Sequence, residues 1–178
     1  MITKQQIIDI FGAKTLRKSA LNLPYGAETF TEILQNKQYS TIIEIGTYRG
    51  VTAAFMSQFC DKLITIDLKN GQLIDTTSRK QLWDALKINN IEMLEINNDK
   101  EKRLFLEKTD FDFAFIDGAH DYTVSRDFAW TKKCGTVLFH DYDDRGQPDL
   151  NSVKDFVDTL PADELTFYPT FALWRKNE

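Results

Sequence analysis

Six side chains in this sequence stand where they could do chemistry. Glu44, Asp67, Asp117 and Asp141 each close a short apolar run, the runs being Thr41-Ile42-Ile43, Leu63-Ile64-Thr65-Ile66, Phe113-Ala114-Phe115-Ile116 and Val137-Leu138-Phe139. The chain's two histidines, His120 and His140, stand beside the last two of these acids. Carboxylates attract cations and accept hydrogen bonds from a sugar diol. An imidazole, with a reference pKa of about 6.5, takes up or releases a proton near neutral pH. The packing of a core does not ask for acids at the ends of strands. An open parallel sheet, by contrast, binds its ligands just beyond the carboxyl ends of its strands. The pattern therefore predicts one polar edge shared by several strands.

The elements that must position these residues follow from hydrophobic periodicity. Helices are predicted over 5–11, with Ile7, Ile8 and Phe11 at helical spacing, and over 28–38, with Phe30, Ile33 and Leu34 on one side. From residue 41 strands and helices alternate: strands at 41–46, 63–67, 91–96, 112–117 and 135–141, helices at 50–60, 75–88, 99–108 and 122–132. Such alternation implies right-handed crossovers and a parallel sheet covered on both faces. The tail changes character. A helix near 149–160 precedes Leu165-Thr166-Phe167-Tyr168 and Phe171-Ala172-Leu173-Trp174, closely spaced runs that predict an antiparallel hairpin at the end of the sheet. No internal repeat, low-complexity segment or linker is visible, so residues 1–178 are expected to form one domain, a helical cap over 1–40 and a ligand-binding core over 41–178.

Glu44-Ile45-Gly46-Thr47-Tyr48-Arg49-Gly50 joins the first strand of the core to a helix. Gly46 would let the backbone turn sharply and approach a ligand, and Gly50 would open the helix close against the sheet. Asp67 lies 21 residues beyond Gly46, about the spacing at which an acid reaches a ribose diol in dinucleotide folds. The Gly-x-x-x-Gly pattern lacks the middle glycine that admits a pyrophosphate, and Glu44 beside the turn would repel phosphate. A nucleoside ligand without a diphosphate is expected rather than NAD.

These residues resemble the class I methyltransferases that use S-adenosylmethionine (SAM): Glu-x-Gly-x-x-x-Gly is similar to their first motif, and Asp67 stands at their ribose-binding acid. The resemblance implies a Rossmann-like, doubly wound α/β fold with a mostly parallel seven-stranded sheet and a C-terminal antiparallel hairpin. It places Glu44, Gly46, Thr47, Tyr48 and Gly50 around the methionine part of SAM, Asp67 on the ribose, Asn98 and Asp99 beside the adenine, and Asp117 at the same edge. Phe115-Ile116-Asp117-Gly118-Ala119-His120 and Gly135-Thr136-Val137-Leu138-Phe139-His140-Asp141 resemble the corresponding segments of metal-dependent O-methyltransferases, above all a bacterial branch with Asp-Gly-x-His and His-Asp signatures that includes sugar and macrolide-sugar enzymes. The likeness spans roughly Thr41 to Asp144.

By that resemblance Asp117 and Asp141 would hold a divalent cation such as Mg²⁺ and His120 would be the catalytic base, with His140 or Asp143 as the substitute for the ligand that Tyr142 does not supply. Two departures stand out. Tyr142 occupies the position of a metal-binding asparagine, and Ala119 that of an adenine-packing tryptophan. The chemistry suits the residue types: a hydroxyl is a poor nucleophile at neutral pH, a hard cation on oxygen ligands favours the alkoxide, and an imidazole takes the proton. The expected reaction is O-methylation of a small-molecule or saccharide hydroxyl. A metal-independent methyltransferase and a SAM-binding module without catalysis are the alternatives.

Composition narrows the field. The net charge of −5 with no basic block speaks against a phosphate-tracking nucleic-acid surface. Cys60 and Cys134 are too few for a disulfide framework and stand in apolar surroundings. No run reaches the ~18 apolar residues of a membrane span, and the N-terminus has no signal-peptide pattern, so no membrane partner and a cytoplasmic location are expected. A homo-oligomer remains open. Arg49 is expected to face solvent, and Trp83, Trp130 and Trp174 to belong to the core.

Overall fold

The computed structural model describes residues 1–16, 19–22, 25–69, 76–119, 121–142 and 151–177. The strands are β1 (Tyr39–Ile45), β2 (Cys60–Leu68), β3 (Ile91–Ile96), β4 (Phe113–Ile116), β5 (Thr136–His140), β6 (Leu165–Tyr168) and β7 (Phe171–Arg175). The helices are α1 (Lys4–Phe11), α2 (Gly26–Leu34), α3 (Val51–Met56), α4 (Thr76–Ala85), α5 (Asp99–Lys108), α6 (Thr123–Thr131) and α7 (Asn151–Val157). They build a Rossmann-like seven-stranded sheet of order β3-β2-β1-β4-β5-β7-β6. The first five strands in that order run parallel, while β7 pairs antiparallel with both β5 and β6. Strand order reverses between β1 and β4, the switch point beyond which such sheets bind ligands.

Alternation along each strand sends neighbouring side chains to opposite faces. Ile42, Leu63, Phe113, Phe115, Leu138 and Phe171 join one core, with Phe30 of α2 and Phe55 of α3. Ile43, Ile64, Ala114, Ile116, Val137 and Phe139 join the other, with Leu106 of α5, Phe128 of α6 and Val157 of α7. Phe30 is the centre of the first core, packed edge-on against Phe115 and Phe171 at ring separations of 5.0 and 5.4 Å. Edge-to-face pairs of this kind add about 0.5–1.5 kcal/mol beyond burial. Both faces are therefore apolar, which leaves the strand ends as the place for polar chemistry.

Local signals end the elements that matter most. Asn98 caps α5 by accepting from the Glu101 amide at 3.1 Å, and Thr3 and Gln6 form a reciprocal capping box on α1. Helix 50–60 of the sequence reading is α3 followed by a 3₁₀ turn over Ser57–Phe59. Both thiols are inert by burial, which pushes Cys60 up to about 12 and Cys134 to about 11.

Candidate functional site

A cleft of about 250 Å³ opens at the carboxyl ends of β1, β2, β3 and β4. Its wall includes Gly46 and Tyr48 from the β1–α3 turn, Asp67 and Leu68 from β2, Asp99 and Lys102 from α5, Asp117, Gly118 and Ala119 after β4, and Asp127 from α6. Five of the residues expected at the cofactor, Gly46, Tyr48, Asp67, Asp99 and Asp117, are thus brought to one cavity.

The turn after β1 is built against its neighbours. Gly46 has φ +102°, and a Cβ there would lie 2.1 Å from the Asp117 carbonyl oxygen. Its glycine is required by the adjoining β4 end as well as by any ligand, because no side chain fits between the two backbones. Gly50 has φ +69°, and a Cβ there would lie 2.7 Å from the Trp83 ring, whose Nε1 donates to the Gly50 carbonyl at 2.9 Å. Gly50 therefore packs against α4 rather than directly against the sheet.

The remaining cofactor candidates serve the wall from behind. Glu44 is a residue of β1, paired with Thr65 and Phe115, and not a strand tip as the sequence suggested. It is fully buried; its Oε2 accepts from Thr65 Oγ1, and Thr65 Oγ1 lies 2.7 Å from Thr47 Oγ1. Burial raises the Glu44 carboxyl well above the usual carboxylate range, against the opposing hydrogen bond from Thr65, and the nearby Asp117 and Asp67 add to the rise. Asn98 is occupied with its cap on α5.

Arg79 of α4 is a residue that sequence reasoning missed. It is 4 % exposed, donates through Nη2 to Asp67 Oδ2 at 2.7 Å, and donates through Nε to the Tyr48 carbonyl. One guanidinium thereby fixes Asp67 to the Gly46–Gly50 turn. Arg49, expected in solvent, instead donates to the Lys14 carbonyl at 2.6 Å and lies over the Tyr48 ring. Tyr25 is left-handed at φ 67° and exposed.

On the far side of Asp117 lies a second constellation. His140 Nδ1 is 2.8 Å from Asp117 Oδ1 and 3.1 Å from Asp141 Oδ2. These three residues offer donor atoms within 4.8 Å of one another. Burial alone would push the imidazole down, but the two carboxylates outweigh it and raise His140 to about 10. Its Nε2 is buried without a hydrogen-bond partner among the described residues. Tyr142, standing where a metal-binding asparagine was expected, turns its hydroxyl to Asp158 at 2.8 Å and stacks on Phe167. Asp117 belongs to both constellations, so Asp67, Asp117 and Asp141 lie along one edge. Asp143 lies outside the described residues, as does His120. Of the neighbours of His120, Ala119 lines the cleft and Asp121 accepts from the Thr123 amide at 2.8 Å to start α6.

The switch-point cleft and glycine turn are shared by Rossmann-like folds that bind nucleosides, and the family match narrows this chain to the class I SAM-dependent methyltransferases. Residues 43–142 match the family model described as a methyltransferase domain, and the chain belongs to that family. Among solved structures it is similar to the O-methyltransferase TomG of Streptomyces achromogenes, involved in tomaymycin synthesis and solved with SAM, at 18 % identity and a TM-score of 0.69 over 99 % of this chain and 92 % of that one. It is also similar to the O-methyltransferase of Bacillus cereus in complex with S-adenosylhomocysteine (SAH), at 16 % identity and a TM-score of 0.64, covering 97 % and 96 % of the two chains. SAH-bound methyltransferase PaMTH1 of Podospora anserina aligns at 13 % identity and a TM-score of 0.61, covering 100 % and 98 %. No curated protein sequence matches the chain.

Proposed function

We propose that this chain transfers a methyl group from SAM to a hydroxyl of a small molecule or saccharide. The observation that carries the reading is the union of a nucleoside-sized cleft with an acid-imidazole cluster through the single residue Asp117. The cleft fits the cofactor: a close-packed glycine turn and an acid held in place for a ribose. SAM, when bound, supplies an electrophilic methyl group. Asp67 would hold the ribose, with Arg79 fixing its orientation. Gly46 and Tyr48 would shape the wall against the methionine part, and Asp117 would face the acceptor side. His120, following Ala119 at the cleft, is the proposed base for the acceptor hydroxyl. Methyl transfer between aligned partners is mainly a matter of orientation, which can contribute roughly 7–11 kcal/mol.

Asp117, Asp141 and His140 suit a divalent cation in donor type and closeness, and these three would hold it. A cation there would polarise the acceptor hydroxyl as a Lewis acid. A metal-independent variant of the same reaction is favoured by one specific observation: His140 Nδ1 already bridges both carboxylates. The imidazolium would then provide the positive charge beside the acceptor.

Calorimetry with SAH, with Mg²⁺ or with EDTA, followed by turnover on a panel of hydroxyl acceptors, tests the proposal. SAH is expected to bind under both conditions, and turnover that survives EDTA would select the metal-independent form. Binding of NAD but not SAH would overturn the reading, and SAH binding without methylation of any hydroxyl would leave a binding module. His120→Ala is expected to lower turnover roughly 100-fold or more while SAH affinity stays nearly unchanged; equal turnover would remove His120 as the base.

A further inference from the structure

The third corner of the Arg79 guanidinium rests on a sulfur. Its Nε and Nη2 donate to the Tyr48 carbonyl and to Asp67, and its Nη1 donates to Sδ of Met93 at 3.3 Å. Met93 stands on β3, an edge strand of the sheet, in register with Thr65 and partly exposed. Ile91 and Leu94 of the same strand pack on the two apolar cores, whereas the Met93 thioether meets a buried cation. The other two methionines differ. Met56 is fully buried in a core, and Met1 is 87 % exposed.

A thioether is a weak hydrogen-bond acceptor, a poor partner for a guanidinium that makes two strong bonds elsewhere. Oxidation reverses that, because a sulfoxide carries a polar oxygen that accepts readily. An S–O bond followed by an N–H···O bond of about 2.9 Å does not fit in line between atoms 3.3 Å apart. The guanidinium has to move to meet the new oxygen. The same rigid fork holds Asp67 and the Tyr48 carbonyl, so a shift at Nη1 is felt at the acid of the cleft.

Resting on the SAM-binding reading, we propose that Met93 is an oxidation site through which hydrogen peroxide lowers cofactor affinity. The sulfur lone pair attacks one peroxide oxygen. An S–O bond forms as the O–O bond breaks, and the proton left on the transferred oxygen joins the departing hydroxide as water. Sulfur loses two electrons and the peroxide gains them. The sulfoxide oxygen then draws Arg79 away from Asp67 and loosens the hold on the ribose. A thiol-dependent sulfoxide reductase restores the thioether, the oxygen leaving as water while two thiols become a disulfide. Met93 thereby acts as a reversible brake on cofactor binding.

Calorimetry with SAH before and after hydrogen peroxide, with oxidised residues located by peptide mass mapping, provides the test. Affinity is expected to fall roughly three- to tenfold as Met93 gains its oxygen, because the bond from Arg79 to Asp67 is loosened rather than deleted. Methionine sulfoxide reductase with dithiothreitol is expected to restore it. Met93→Leu conserves volume without the sulfur, and its affinities before and after peroxide are expected to agree within about twofold. Met93→Gln, whose amide oxygen accepts as the sulfoxide oxygen would, is expected to bind SAH more weakly than wild type with no peroxide added. Oxidised Met93 with unchanged SAH affinity would overturn the inference and leave the SAM reading standing. So would a Met93 that resists peroxide while Met1 is oxidised, or an equal peroxide loss in Met93→Leu. Untreated protein that binds no SAH would overturn both.

Discussion

The two halves of the strand edge differ in how their acids are neutralised. Along the β2 and α5 side, Asp67 is paired with Arg79, Asp127 with Lys102, and Asp99 with Arg126. At the β4 and β5 ends, Asp117 and Asp141 share the imidazole of His140. A guanidinium or a well-paired ammonium is a fixed cation at any physiological pH. An imidazolium is a removable one, because it can lose its proton and can surrender its place to a metal. The first half is thereby suited to holding a ligand in one geometry, the second to chemistry in which charge must change. Asp117 sits at the junction and is fixed in space by Gly46 on one side and His140 on the other.

The largest expected effect comes from closing that junction. Gly46→Ala forces a Cβ into the Asp117 carbonyl at a positive φ and should cost about 4 kcal/mol of stability together with SAH binding. Thermal melts with and without SAH read both, and a stable variant with full SAH affinity would separate the two halves after all. Next comes the fixed cation. Arg79→Met strands Asp67 and the Tyr48 carbonyl, and the partial exposure of Asp67 limits the loss to roughly 2 kcal/mol. SAH affinity should fall about tenfold or more, measured by calorimetry.

The removable cation should show itself in pH dependence. Because His140 is raised from about 6.5 to about 10, its stabilisation is complete below pH 6.5 and is lost as pH climbs toward 10. Urea unfolding should show a decline over that window of up to ~1.4 kcal/mol per pH unit, and His140→Gln should lack it. Divalent metal binding must displace the same proton, so apparent affinity should rise about tenfold per unit between pH 7 and 9, with proton release visible in buffers of different ionisation enthalpy. A flat metal affinity would mean that the ion goes elsewhere.

The smallest effect belongs to Glu44. Burial raises its carboxyl, so the folded chain holds the proton to higher pH than the unfolded chain, and wild-type stability is drawn down as pH rises above about 4.5. Glu44→Gln removes that penalty and should gain up to about 1 kcal/mol at pH 8, with no gain near pH 4. A large loss at pH 8 would mean that the ionised carboxylate is the working form.

Much of this edge was legible in the sequence. Short apolar runs marked most of the strands, and the boundaries of β3 and α5 coincide with the 91–96 and 99–108 read from the sequence. The acids at Asp67, Asp117 and Asp141 could be assigned to one edge from strand position alone. Their cations could not. Arg79, Lys102 and Arg126 stand on helices where a basic residue ordinarily marks a solvated face; only tertiary packing turns Arg79 and Lys102 inward and draws the half-exposed Arg126 onto Asp99. Glu44 shows the converse, since an acid after three apolar residues looked like a strand end. The sheet continues through Ile45 and buries it. Tyr142 followed the motif in sequence but turns toward α7, a choice made by Phe167 and Asp158 from a distant part of the chain.

Trp83 has a practical consequence. Its indole rests on Gly50 and is hydrogen-bonded to that turn, while Trp130 lies under the Lys102 ammonium at 5.5 Å and Trp174 is held on β7 by Glu164. Trp83 therefore packs on the glycine turn next to the cleft and Trp130 on a lysine of its wall, while the third indole serves as an internal reference. The molecule carries its own optical gauge of occupancy: the emission of Trp83 and Trp130 should respond when the cleft fills, with no dye attached.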